Sequence, residues 1–237
     1  MNFHDALSKC YFSMMPILSR PYAILHTFRK VVAKGPTCDL PVESLLTRGL
    51  RPDDVVLEAG TNMGGLTRLL SDMVKEVHTF DPNPKALEYA RKYLHGRTNV
   101  RFYCAAVGGK TGTAIYNYVS RFHGGNSLCQ TYDYGGRIRF LRQFNVPETT
   151  IQRFAEKTGV RLTALVLDCE GSELSALVGA GEFLPDRVFT ETHSVKRKDG
   201  TTRSTLPECR AFLEAHGFEV TIFYDKDRYP WIRGVRK

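Results

Sequence analysis

The sequence predicts an α/β fold: a mostly parallel sheet with helices on both faces and an antiparallel strand near the C-terminus. Three observations carry that expectation. Short apolar runs alternate with amphipathic helical stretches from residue 55 onward. A glycine-rich turn joins the first strand to its helix. The last two apolar runs are joined by a hairpin-like turn instead of a helix. Strand–helix alternation makes successive strands parallel and buries both sheet faces, and such sheets open their ligand clefts at the carboxyl ends of the strands.

Residues 1–45 hold helical stretches broken by prolines, with a turn-like Lys34-Gly-Pro-Thr-Cys38, and suit an N-terminal helical cap on a domain spanning 46–237. Val55–Leu57 is a short apolar strand. Leu66, Leu69, Leu70 and Met73 follow with the i, i+3, i+4, i+7 spacing of a helix with one apolar face. Val77–Phe80 reads as a second strand, Pro84–Leu94 as a helix with proline at its start, Val100–Cys104 as a third strand and Thr113–Tyr118 as a further one. Residues 119–146 are glycine-rich and irregular, and loops of that length in compact domains tend to serve function. Thr149–Lys157 reads as a helix and Ala164–Leu167 as a buried strand. Leu174, Leu177 and Val178 form the inner face of another helix, and Arg187–Glu191 is a strand. Thr205-Leu-Pro-Glu208 reads as a capping box. It opens a helix with Cys209, Phe212, Leu213 and His216 on one face and Gly217 at its end. Phe218–Tyr224 and Trp231–Val235 close the fold as a pair across the turn Asp225–Tyr229.

The chain has 237 residues, 33 Lys+Arg against 25 Asp+Glu for a net +8, and 42% apolar residues. A single core can extend to roughly 250 residues, and this apolar content excludes a globally disordered chain. The charge points to an anionic partner without choosing between nucleic acid, a phosphorylated small molecule and an anionic membrane. Cys10, Cys38, Cys104, Cys129, Cys169 and Cys209 are scattered, with no C-x-x-C pair. Cys104 and Cys169 fall in predicted core strands, where a buried free thiol is the commoner state, so a cytoplasmic location is expected. No stretch reaches the ~18 apolar residues of a membrane helix; integral membrane contact is not expected, and peripheral contact stays open. The run Tyr11–Leu18 is interrupted by Pro16 and lacks the basic start and small-residue cleavage site of a secretion leader.

The informative run is Val55-Val-Leu-Glu-Ala-Gly-Thr-Asn-Met-Gly64. Gly60 and Gly64 bracket a strand-to-helix turn where a ligand can approach bare backbone. A dinucleotide site calls for G-x-G-x-x-G with a pyrophosphate at the helix start; here the spacing is G-x-x-x-G, and Glu58 would repel a pyrophosphate. A carboxylate there suits a cationic ligand, such as the amino group or sulfonium of S-adenosylmethionine. Asp81 follows Gly60 by 21 residues, at the end of the second strand, where an acid accepts hydrogen bonds from ribose hydroxyls. The blander alternative makes Glu58 a solvated strand-end acid and Asp81 a cap for the next helix. The closing antiparallel strand separates class I methyltransferase sheets from dinucleotide-binding ones.

Val56-Leu-Glu-Ala-Gly-Thr-Asn-Met-Gly64, Phe80-Asp-Pro-Asn-Pro84, Ala105-Ala-Val-Gly108, Asp168-Cys-Glu-Gly-Ser-Glu173 and Glu191-Thr-His193 occur in that order. Over about residues 50–195 the chain closely resembles FkbM-family methyltransferases. The resemblance implies a class I fold with a seven-stranded sheet, S-adenosylmethionine as donor, and O-methylation of a hydroxyl on a sugar, glycan, glycolipid or natural product. It implies that Glu58, Gly60, Thr61, Asn62 and Gly64 form the first cofactor motif, Asp81 with Pro82 the ribose motif, and Ala106 the position flanking adenine. The family often has Asp where this chain has Glu58, and Ala where it has Thr61.

Asp168 and Glu170 close the fourth core strand, and Glu191 and His193 the fifth, so all four are expected on the acceptor side. Methyl transfer to a hydroxyl needs alignment and a proton acceptor. His193 titrates in the right range and Asp168 can be tuned to it, with Glu170 orienting the acceptor. Structural alternatives are a backbone-capping His193 and an acid pair that fixes the turn at Gly171. Glu173 belongs to the first helical turn. Asp168, Glu170, Glu191 and His193 are also of the type that holds Mg²⁺, but their spacing is not diagnostic and no metal is assigned. Two basic runs, residues 119–147 (Arg121, Arg137, Arg139, Arg142) and 195–203 (Lys196, Arg197, Lys198, Arg203), suit an anionic acceptor at the cleft rim or are merely solvated. The rivals are an RNA methyltransferase, favoured by the aromatic and basic tail Tyr229–Lys237, and a non-catalytic protein that binds S-adenosylmethionine as a regulatory partner. An NAD-dependent oxidoreductase fits less well.

Overall fold

The computed structural model describes residues 40–118, 126–129, 142–196, 200–223 and 229–237. Most of the expected N-terminal cap lies outside these residues, as do Arg121, Arg137, Arg139, Arg197 and Lys198 of the basic runs.

The first described element is α1 (Leu40–Thr47). The main sheet comprises β1 (Val55–Ala59), β2 (Glu76–Phe80), β3 (Val100–Tyr103), β7 (Ala164–Leu167), β8 (Arg187–Glu191), β11 (Phe218–Phe223) and β12 (Trp231–Arg236). Their order is β11-β12-β8-β7-β1-β2-β3. All pairings are parallel except those of β12, which is antiparallel to both β8 and β11. All four residues of β7 are buried, as are four of the five in β1, the signature of strands covered on both faces. The order reverses between β1 and β7, the switch point at which such sheets bind ligands. Register levels the strand ends there: Ala59 lies beside both Phe80 and Leu167, and Leu167 beside Thr190. Gly60, Asp81, Asp168 and Glu191 therefore leave their strands at one height.

The helices α2 (Gly65–Met73), α3 (Pro84–Tyr93), α4 (Ile151–Thr158), α5 (Glu173–Val178) and α6 (Leu206–Ala215) connect these strands. Asn83 caps α3 by accepting from the Lys85 and Ala86 amides, ahead of a proline that needs no partner. Thr150 caps α4 through the Arg153 amide. In α2 the buried residues are Thr67, Leu70 and Ser71, a face rotated from the expected leucine stripe because Thr67 is drawn inward to Glu58. The expected capping box at Thr205 does not form. Its hydroxyl instead accepts from the His193 amide and donates to Glu173.

A second sheet comprises β4 (Ala106–Val107), β5 (Gly112–Tyr118) and β6 (Arg142–Thr149), in the order β4-β6-β5. Residues 142–149 were expected partly as irregular loop; they form a strand because Tyr116, opposite Phe144, and Val146, opposite Ala114, bury a small apolar cluster. A three-residue antiparallel pair, β9 (Ser194–Lys196) with β10 (Thr202–Ser204), is clamped by the Thr205 amide on the His193 carbonyl.

Cys104 is exposed past the end of β3 and Cys169 half-buried past β7, so neither lies inside a core strand as expected; both are free, as are Cys129 and Cys209. The tail is not an open stacking surface either. Trp231 and Ile232 are buried core residues. Arg236 pairs with Asp186, donates to the Leu184 carbonyl and lies over the Phe218 ring. No helix among the described residues is long and apolar enough to cross a membrane.

Candidate functional site

At the carboxyl ends of β1, β2 and β7 a cleft open to solvent is lined by Gly60, Asn62, Asp81, Pro82, Ala106 and Asp168 among others. Gly60 sits at φ +108°, and a Cβ there would lie 2.0 Å from the Asp168 carbonyl oxygen. Only glycine lets the end of β1 pass this close to the exit of β7. The Gly60 and Thr61 amides both donate to the Phe80 carbonyl, at 2.9 and 3.1 Å, which fastens the turn to β2.

Asp81 is 6% exposed. Its Oδ2 accepts from the Asn62 amide and its Oδ1 from the Asn83 amide, each at 2.8 Å. Asn62 adopts φ +45° in presenting that amide. Burial raises the Asp81 pKa to about 6, against the two amides that favour its charged form. The carboxylate is thus oriented by backbone while still facing the cleft.

Glu58, Thr61 and Gly64 of the same motif do not line the cleft. Glu58 is fully buried, accepts from the Thr67 hydroxyl at 2.7 Å, and has Oε1 without a hydrogen-bond partner. Burial pushes its pKa up to about 7. It ties β1 to α2 beneath the turn instead of facing a ligand from the lining. Thr61 braces β1 against β2 through the Thr79 hydroxyl at 2.5 Å. Gly64, at φ +85°, caps α2, and a Cβ on it would press on Leu94 and Ala90 at 3.1 and 3.2 Å.

Sequence reasoning missed Asn83, Tyr116 and the segment Asn126–Leu128 as lining residues. Ser127 is drawn in by backbone pairing with Asn117, and its hydroxyl donates to the Glu170 carbonyl at 2.5 Å. No local pattern marks these positions, because the long connection after β5 separates them from their partners.

On the acceptor side Asp168 and Glu170 line the cleft, whereas His193 is 2% exposed and stands behind them. His193 Nδ1 lies 2.8 Å from Glu173 Oε1, and Nε2 lies 3.5 Å from Glu170 and from Glu191 and 3.7 Å from Asp168. Glu173, expected only as a first-turn residue, is fully buried; it accepts from the Gly171 amide at 2.7 Å and the Thr205 hydroxyl at 3.1 Å. Burial opposes charge on His193, but the Glu173 carboxylate, then Glu191 and Glu170, outweigh it and hold the imidazole pKa well above its ordinary value. Burial would likewise raise Glu173, yet the imidazolium and its donors hold it low. Asp168 goes the other way. Burial and then the charges of Glu191 and Glu170 push it well above the carboxylate range. Its side chain is about one-third exposed, but Oδ1 is enclosed without a hydrogen-bond partner. Ligand atoms of Asp168, Glu170 and His193 lie within 4.8 Å of one another.

A mostly parallel seven-stranded sheet with β12 antiparallel, and an acid-bearing cleft at its switch point, defines the class I methyltransferase fold. The fold of a precorrin-6y C5,15-methyltransferase from Geobacter metallireducens is similar, with a TM-score of 0.52 at 12% identity, covering 86% of this chain and 92% of that one. So is that of an rRNA methylase from Streptococcus thermophilus, at 0.51 and 12%, covering 84% and 98%. A methyltransferase FkbM from Methylobacillus flagellatus gives 0.51 at 14%, with 95% of this chain matched to 58% of that one. Identities this low establish the fold alone. Comparison with curated proteins returns no significant sequence match. The model of the methyltransferase FkbM domain matches residues 54–220, and the chain belongs to that family. It is an S-adenosylmethionine-dependent methyltransferase. The residues present fit that cofactor: Asp81 offers an oriented acceptor, Gly60 bare backbone, and Pro82 and Ala106 apolar walls.

Proposed function

We propose that the protein O-methylates a hydroxyl on a sugar, glycan, glycolipid or natural-product acceptor that carries an anionic group, and that Asp168 takes the proton. S-adenosylmethionine supplies a methyl group already activated on its sulfonium. Asp81 holds the ribose hydroxyls, and Pro82 and Ala106 flank the adenine. With the donor bound, the acceptor oxygen would bond to the methyl carbon as the carbon–sulfur bond breaks, the electron pair staying on sulfur. The hydroxyl proton passes to Asp168.

The observation that carries this reading is the Asp168 side chain, which lines the cleft and stays about one-third exposed while its Oδ1 turns back towards His193 at 3.7 Å. A carboxylate whose pKa is raised by burial and by Glu191 and Glu170 is a stronger base than an ordinary one. His193, held as an imidazolium by Glu173, has no free lone pair to accept a proton. In this reading His193 balances the charge behind the acids, and Glu170 orients the acceptor. The four cysteines among the described residues are free thiols, which suits a reducing compartment, and a cytoplasmic site of action is part of the proposal.

The test is labelled S-adenosylmethionine incubated with fractionated cell extract. Label in the sugar, lipid or small-molecule fraction is expected, and Asp168→Asn should lower transfer by about 10²-fold or more with S-adenosylhomocysteine affinity intact. Near-wild-type transfer by that variant would sink the assignment. Label in RNA would select the nucleic-acid rival, and no label in any fraction the non-catalytic one.

A further inference from the structure

We infer that the cleft-side face of the β5–β6 ribbon is the acceptor subsite, where Phe144 and Tyr118, continuing outward from Tyr116, carry a sugar ring and Arg142 binds its phosphate or carboxylate. This rests on the proposed function and adds to it where the acceptor lies.

Pairing puts these four side chains on one face. Tyr116 is opposite Phe144 and Tyr118 is opposite Arg142 in antiparallel register, and directly opposed residues share a face, as do residues two apart along a strand. The face runs outward from the reaction site. Tyr116 is 4% exposed and lines the cleft; Phe144 is 37% exposed, Tyr118 half-buried and Arg142 exposed. Phe144 stands between the two tyrosines, with ring centroids 5.6 Å from each. A row of three rings that starts in the cleft and ends at an open cation is continuous with the methyl-transfer site.

The chemistry of that row selects its occupant. Aromatic faces pack against the apolar C–H face of a sugar ring while leaving its hydroxyls to polar groups. The polar groups at hand are Asp168 and Glu170, on the cleft wall, which accept hydrogen bonds from hydroxyls and repel anions. An anionic substituent is therefore directed to the other end of the row, where Arg142 makes no ion pair among the described residues and offers a planar fork of donors. By contrast Arg203, in the second basic run, is already paired with Glu208 at 2.6 Å.

The experiment is label transfer measured against serial dilutions of the extract fraction that wild type methylates. Phe144→Ala and Arg142→Gln are each expected to raise the amount of fraction needed for half-maximal labelling by about tenfold. The plateau rate and the affinity for S-adenosylhomocysteine should stay as in wild type, and Arg142→Lys should recover most of the Arg142→Gln loss. Ile115→Ala, on the opposite face of β5 and 57% exposed, should change nothing. Phosphatase treatment of the fraction names the anion. If it mimics Arg142→Gln the group is a phosphate, and if the Arg142→Gln effect survives it the group is a carboxylate. Dilution curves of Phe144→Ala and Arg142→Gln that superimpose on wild type would overturn the subsite and leave the proposed function standing. A wild-type protein that labels nothing would remove the proposed function itself. Because Arg142 is exposed, Arg142→Gln decides the matter even if Phe144→Ala fails to fold.

Discussion

Lowering the pH should weaken cofactor binding through Asp81. In the free protein its pKa is raised from 3.8 to about 6 by burial. A group raised in the folded state stabilises it below the unfolded pKa and loses that contribution as pH rises through the folded one. Ionised Asp81 therefore costs the free protein about 3 kcal/mol above pH 6, from roughly two units at 1.36 kcal/mol each. On the proposed reading the ribose hydroxyls bind the carboxylate more tightly than the neutral acid, so protonation competes with the cofactor. The dissociation constant of S-adenosylhomocysteine should then scale as one plus the ratio of protonated to ionised Asp81. That ratio is negligible at pH 7.5 and makes binding about tenfold weaker at pH 5. Isothermal titration calorimetry across that range measures it. Asp81→Asn places an NH₂ against an amide that Asp81 now accepts from. It should weaken binding at pH 7.5 by about 10²-fold, the loss of charge-assisted hydrogen bonds, and flatten the pH dependence. A wild-type affinity that stays constant from pH 7.5 to 5 would refute the reasoning.

Three further outcomes follow from the same geometry. Gly60→Ala should lower the denaturation midpoint and abolish S-adenosylhomocysteine binding, because its Cβ meets the Asp168 backbone oxygen at 2.0 Å and a positive φ adds strain; calorimetric binding near wild type would contradict this. His193→Gln should cost about 3–5 kcal/mol in denaturant melts by stranding buried Glu173. The wild-type advantage should be complete below about pH 6.5 and shrink as pH rises through the raised folded pKa of His193. Glu58→Gln should leave S-adenosylhomocysteine affinity unchanged and gain stability relative to wild type as pH rises through about 7, where the buried carboxyl would ionise; lost affinity would instead make Glu58 a cofactor contact.

The parts of the site that were legible in the sequence are those that one β-α-β unit carries in contiguous form. Gly60 and Asp81 belong to such a unit, and register brings both to the cleft. Glu58 sits in the same run, yet a strand-end acid that faces a ligand and one buried under a turn have identical sequence signatures. Only the partner, Thr67 on α2, separates them. Glu173, His193 and Thr205 are scattered along the chain and share hydrogen bonds that no periodicity announces. Thr205 in particular has the sequence of a helix cap, and its hydroxyl goes to Glu173 because a buried carboxylate is the stronger acceptor. The β5–β6 ribbon was half legible. Gly112–Tyr118 alternates as a strand should, but its partner lies beyond a long connection, so Phe144 and Arg142 read as loop residues.

The placement of charge ties these pieces together. Among the described residues the charged groups that line the cleft, Asp81, Asp168 and Glu170, are all acids, in a chain with a net charge of +8. On the proposed reading an acid-walled cleft lowers the potential for the sulfonium and for the hydroxyl whose proton passes to Asp168. It also makes the cleft hostile to a phosphate or carboxylate. An anionic acceptor must therefore present its hydroxyl inward and its charge outward, a polarity that the row from Tyr116 to Arg142 supplies. On the proposed reading Arg142 orients the acceptor, and reversing Arg142 to an acid should disfavour the productive direction of binding without touching the groups that hold the donor.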